Sequence, residues 1–138
     1  MGANENLQVT EETRVNVLRL SINAIHQIEW CTLSVKVNEE GIIEHETILK
    51  AINGGDFTGG IYALEESSMY YDEERINTAD TMFTIKTPYE YPTTVYGAGL
   101  FVGHGEGEMP VGLTDEEIKD IQNRCKLLVY GKNVNKIK

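Results

Sequence analysis

The reading of residues 10–28, "TEETRVNVLRLSINAIHQI", decides the fold of this chain. Two periods compete there. Thr10 is a suitable helix N-cap, and Val15, Leu18, Ile22 and Ile25 then fall on one helical face. The inner stretch "LRLSINA" (18–24) instead alternates apolar and polar residues, the two-residue period of a half-buried strand. The length of the segment and its lack of a turn residue favour the helix. The strand stays open as the alternative.

Downstream the signals point to sheet. "CTLSVKV" (31–37) alternates, with Cys31, Leu33, Val35 and Val37 on one side. "NEEG" (38–41) reads as a turn, and "IIEHETIL" (42–49) as the returning arm of a hairpin, with Glu44 and Glu46 on one face and His45 on the other. "NGGDFTGG" (53–60) is a glycine-rich connection, followed by a strand in "IYALEES" (61–67). "YYDEERINTAD" (70–80) reads as acidic surface, and "TMFTIKT" (81–87) has strand composition. "PYEYP" (88–92) is a rigid connection, because each proline fixes its own φ and drives its predecessor extended. "TTVYGAGLFVG" (93–103) reads as one central strand, with glycines where neighbours approach closely.

The strongest local signal is "LTDEEIKDIQNRCKLLVYGK" (113–132). Thr114 and Glu117 have capping-box spacing, and Leu113 and Ile118 that of a hydrophobic staple. Ile118, Ile121, Cys125 and Leu128 share a helical face, and Gly131 is a suitable stop. These features predict an amphipathic C-terminal helix of about four turns. The expected architecture is α+β: a mainly antiparallel sheet of about four to six strands with one or two helices packed on it. Residues 1–138 form a single domain in this reading, with 1–9 and 132–138 as flexible ends.

Composition narrows the function classes. The chain has 138 residues, 41% of them hydrophobic and 25% charged, which suits one globular domain with its own core. No run reaches the ~20 apolar residues of a membrane-spanning helix, and no apolar signal core opens the chain. With two distant cysteines, Cys31 and Cys125, these features lead us to expect a cytoplasmic setting. Net charge is −10 and uneven: residues 1–118 hold 21 acids against 6 bases, whereas 119–138 hold 1 acid and 6 bases. An acidic body repels phosphate backbones, so nucleic acid is not the expected partner.

Candidate chemistry is sparse. "FVGHGEGEMP" (101–110) spaces His104, Glu106 and Glu108 two apart. On extended backbone they share a side, and with His45 they offer ligands for a divalent metal such as zinc. No HExxH or paired CxxC supports that metal-assisted hydrolase reading, and the bland alternative is a mobile acidic loop. "NGGDFTGG" lacks the Gly-Lys-Ser/Thr of a phosphate loop, which leaves a flexible connection in which Asp56 is available to a ligand. Tyr70, Tyr71, Tyr89 and Tyr91 cluster with acids, and tyrosine is enriched in interfaces. Arg75 is one of the few cations of the body. Together these features favour a small non-enzymatic binding or regulatory protein, inhibitor-like, with no cofactor. It would take a partner protein or a small ligand, and homo-oligomerisation is open to it. A metal-assisted hydrolase and a structural subunit of a larger assembly are the alternatives.

Overall fold

A computed structural model describes residues 13–53 and 58–137. Nine strands and two helices of more than one turn occur among them. The strands are β1 (Arg14–Ile22), β2 (Ile28–Lys36), β3 (Gly59–Leu64), β4 (Ser67–Tyr71), β5 (Thr81–Lys86), β6 (Thr93–Tyr96), β7 (Gly99–His104), β8 (Pro110–Val111) and β9 (Lys126–Lys132). The helices are α1 (His45–Ile52) and α2 (Asp115–Arg124). The larger sheet runs β2-β1-β7-β4-β3, with β8 added to β7, and the smaller runs β6-β5-β9. Every pairing is antiparallel. The arrangement is α+β, with more strands than the four to six expected. No helix among the described residues is long and apolar enough to cross a membrane.

Within the deciding stretch residues 14–22 form a strand, which corrects the helix favoured above; its proposed cap, Thr10, lies outside the described residues. β1 lies between β2 and β7 and is covered on both faces. Leu18, Leu20 and Ile22 enter one core, and Val17 enters the other. A helix would have left Val17 and Leu20 off the apolar stripe. The missed turn is made by Asn23, whose side-chain carbonyl accepts from the amides of Ile25 (3.0 Å) and Gln27 (2.9 Å), with His26 left-handed at φ 61°. An asparagine closing a turn through its own side chain replaces the glycine or proline that was sought.

Three further readings change. "IIEHETIL" is not a returning strand: β2 pairs with β1, and residues 45–52 form α1. Ile48 and Ile52, four apart, supply its buried side, and Asn53 ends it in left-handed conformation (φ 52°). Residues 93–103 hold two strands in different sheets, separated at Gly97 with φ 105°. The capping box of α2 is formed, with the Glu117 amide donating to Thr114 Oγ1 (3.1 Å) and the Thr114 amide to Glu117 Oε1 (2.8 Å). That helix nevertheless ends at Arg124, shorter than predicted. Lys126–Lys132 pairs with β5 instead, and Gly131 (φ 150°) lies within the strand rather than stopping a helix. The β-prone "LLVY" finds an open sheet edge there, and tertiary pairing overrides the helical spacing of Leu128.

Two cores result. Phe83, Ile85 and Val95 of the small sheet meet Leu18, Leu20, Met69 and Phe101 of the large one, closed by Ile118 and Ile121 of α2. On the opposite face of the large sheet, α1 sets Ile48 and Ile52 over Val17, Val35, Leu100 and Val102. Phe83 and Phe101 are fully buried, worth about 1.5–3 kcal/mol each in removal from water.

The expected flexible end, 132–138, is tied down over its described part. Asn133 is buried, and its amide nitrogen donates to the carbonyls of Ile76 (2.7 Å) and Ala79 (2.9 Å). The Ile137 amide bonds to Asn77 O at 2.8 Å. Removing one partner from a buried pair leaves the other unsatisfied. Asn133→Ala is therefore expected to lower unfolding stability by about 1–3 kcal/mol in urea titration. An unchanged midpoint would mean that these bonds hold nothing.

Candidate functional site

The face of the large sheet under α1 is only partly roofed. Beyond the helix, alternation along β3, β4 and β7 brings Tyr62, Ser68, Tyr70 and His104 to a shallow groove of about 280 Å³. Glu90 and Glu108 complete its lining. Ser68 Oγ lies 2.5 Å from His104 Nε2. The Tyr62 hydroxyl donates to both carboxylate oxygens of Glu108, at 2.8 and 3.0 Å. Its ring meets that of His104 edge-on at 5.6 Å. The hydrogen bond to the Glu108 carboxylate raises the Tyr62 pKa above its ordinary value.

The groove joins two of the proposed metal ligands and separates the rest. Residues 106–108 form a single 3-10 turn, with Gly107 at φ 66° and Glu108 at φ 61°, so they are not extended as the shared-side argument required. Glu106 is exposed on that turn, and His45 is exposed at the start of α1. Among the described residues no group of three or more His, Cys, Asp or Glu side chains is placed to hold a metal ion. The two pairs, Ser68–His104 and Tyr62–Glu108, instead satisfy polar groups on a sheet face that is apolar further along.

The tyrosines do not form one patch. Tyr70 lines the groove, and burial raises its pKa. Tyr71 points to the opposite side of the same strand and packs against the inter-sheet core. Tyr91 is almost fully exposed. Tyr89, half exposed, hydrogen-bonds at the Glu65–Arg124 pair. Arg124 Nη1 and Nη2 reach the two Glu65 oxygens at 3.1 and 3.2 Å, a two-pronged contact between the β3–β4 turn and α2. Arg75 is elsewhere, with Arg19, in a cleft at the end of α1. Asp56 lies outside the described residues.

Ser68, Tyr62 and Arg19 had not been singled out from the sequence. Ser68 and His104 are 36 positions apart, and Tyr62 and Glu108 are 46 apart. Only strand register brings each pair together. Tyr62 and Ser68 stand directly opposite each other in the β3–β4 hairpin.

No protein-family model, curated protein or solved structure matches this chain.

The Glu65–Arg124 contact sets a pH dependence. Hydrogen bonding to Arg124 lowers the Glu65 pKa from 4.5 to about 2 in the fold. A depressed carboxylate pKa contributes stability that is present above the unfolded value and lost as pH falls through the folded one. That contribution should disappear between pH about 4.5 and about 2. Glu65→Gln is expected to show a smaller loss of Tm than the parent across this window. Parallel curves would remove Glu65 as a source of acid sensitivity.

Proposed function

We propose that this chain is a non-enzymatic binding protein that captures an extended segment of a partner protein along the outer edge of β9. The observation that carries this reading is the composition of that edge. Among the described residues β9 has a strand neighbour on one side only, β5. Three consecutive apolar residues are open to solvent on it: Leu128 (54% exposed), Val129 (57%) and Tyr130 (45%). The pairing with β5 shifts register at Leu128, so strict alternation is broken there, and all three side chains are nonetheless open to solvent. Unprotected apolar edges invite strand addition, and natural proteins usually blunt them.

Charge narrows the occupant. Lys126 and Lys132 flank the apolar triplet. Antiparallel pairing of two copies about Val129 would set Lys126 of one against Lys132 of the other, and like charges directly opposed are destabilising. An extended partner segment with acidic residues at its ends avoids that conflict and complements the +5 charge of residues 119–138. The acidic body opposes such a partner at long range, but screening confines that repulsion to about 8 Å at physiological salt.

Two synthetic six-residue peptides test the proposal, each with an alternating Val/Tyr centre, one with glutamate ends and one with lysine ends. In amide NMR titrations the glutamate-ended peptide is expected to shift and protect residues 126–132. Reversing both charges, Lys126→Glu with Lys132→Glu, should invert the preference by a few-fold, since each cross-strand charge pair is worth about 0.2–1 kcal/mol. Equal binding of both peptides, shifts confined to other strands, or concentration-dependent dimerisation through β9 would overturn the reading.

A further inference from the structure

At the C-terminal end of α1 the protein gathers two guanidinium groups in a body that is otherwise acidic. Side chains on β1 alternate, so Val17 packs beneath α1 while Arg19 and Ser21 emerge beyond its last turn. Arg19 Nη1 reaches the Ala51 carbonyl at 3.5 Å. Arg75 approaches from the segment after β4: its Nη1 donates to Asn53 O at 2.8 Å and its Nε to Thr78 Oγ1 at 3.1 Å. Both line one cleft of about 310 Å³, together with Ser21, Asn23 and Thr81. Asp80 also reaches the cleft; its carboxylate is paired with Lys136, and that bond, with a smaller pull from the Arg75 charge, holds its pKa below the ordinary value.

Helix capping accounts for part of this arrangement. The last carbonyls of a helix lack intrahelical partners and carry the negative end of its dipole, so cations gather there. Ala51 O and Asn53 O take one N–H from each arginine. The remaining guanidinium donors are not explained by capping. Arg19 Nε is buried and has no hydrogen-bond partner among the described residues. A nitrogen closed to solvent is closed to an ion in the cleft as well, so the outer Nη groups of the two planar, permanently charged forks are what an occupant would meet. A planar oxyanion is the acceptor whose geometry matches that fork.

We propose that the Arg19–Arg75 cleft is a binding site for a small ligand bearing an oxyanion, either a carboxylate or a phosphate group, held between the two guanidiniums. The cleft is near the lower end of the size range of small-molecule sites, which limits the occupant to a compact molecule. Ser21 and Thr81 supply hydroxyls at its wall, and Ile22, Ile52 and Ala98 supply apolar surface for the rest of the ligand. The site lies apart from β9 and does not depend on the strand-capture reading.

Titration of the full chain with inorganic phosphate, and separately with acetate, tests the site by NMR at the arginine Nε–H resonances. A saturable shift of the Arg19 and Arg75 signals is expected. Saturation at lower phosphate than acetate assigns a phosphorylated ligand, and the reverse assigns a carboxylate. Arg75→Gln should weaken that binding roughly tenfold or more, since bonds between charged groups are the strong ones. Arg19→Lys keeps the charge but loses the fork, so it should weaken binding too if it folds, which a thermal melt checks. Shifts that stay linear with both anions, or affinity unchanged in Arg75→Gln, would overturn the proposal.

Discussion

Strand β7 is the constraint on which the rest of the structure depends. It lies between β1 and β4, and Gly99 to Gly103 are all buried. Its alternation feeds both cores at once: Phe101 faces the small sheet, while Leu100 and Val102 face α1. A Cβ at Gly99 would fall 2.7 Å from Met69 Sδ, so any larger residue there would have to displace that buried side chain. Every other layer is placed relative to this strand. It also ends in His104, so the same strand that organises the cores delivers the imidazole to the groove.

The two faces of the large sheet have different fates. One is sealed by the small sheet and α2, with Trp30 at the margin 5.8 Å from the Phe101 ring. The other carries only the eight-residue α1, too short to roof five strands. Away from that helix the sheet face is polar: Ser68–His104 and Tyr62–Glu108 at one place, and Arg19 and Ser21, beyond its last turn, at another. Both clefts of this face therefore follow from the size of one helix. Buried polar groups require partners, and the groove supplies them internally. The arginine cleft leaves Arg19 Nε without one among the described residues.

Legibility differed by kind of signal. The capping box of Thr114 and Glu117 was readable because all its parts lie within four residues. The strands read at 31–37, 61–67 and 81–87, from alternation or β-prone composition, overlap β2, β3 and β5, but β3 begins in the glycine-rich stretch read as a connection, and β4 was not read. The strand at 14–22 stayed the alternative although 18–24 alternates, because the length of the segment favoured a helix and the turn that ends the strand is made by Asn23 through its own side chain. Cys125 is buried, and that burial pushes its thiol up to about 11. The groove was half visible, as Tyr70, His104 and Glu108, and the guanidinium cleft was visible only as Arg75.

By itself the sequence determined the local events: the start of α2, the φ restrictions at Pro88 and Pro92, the acidic charge, and a sheet-rich composition. Each rests on interactions between near neighbours in the chain or on a sum over residues. Tertiary structure alone decided that 14–22 is a strand, that "LLVY" leaves the helix, and that Asn133 is buried. It also alone decided which distant side chains meet. Partners 36 and 46 residues apart are joined by strand register, and register is set by how both faces of the whole sheet are buried.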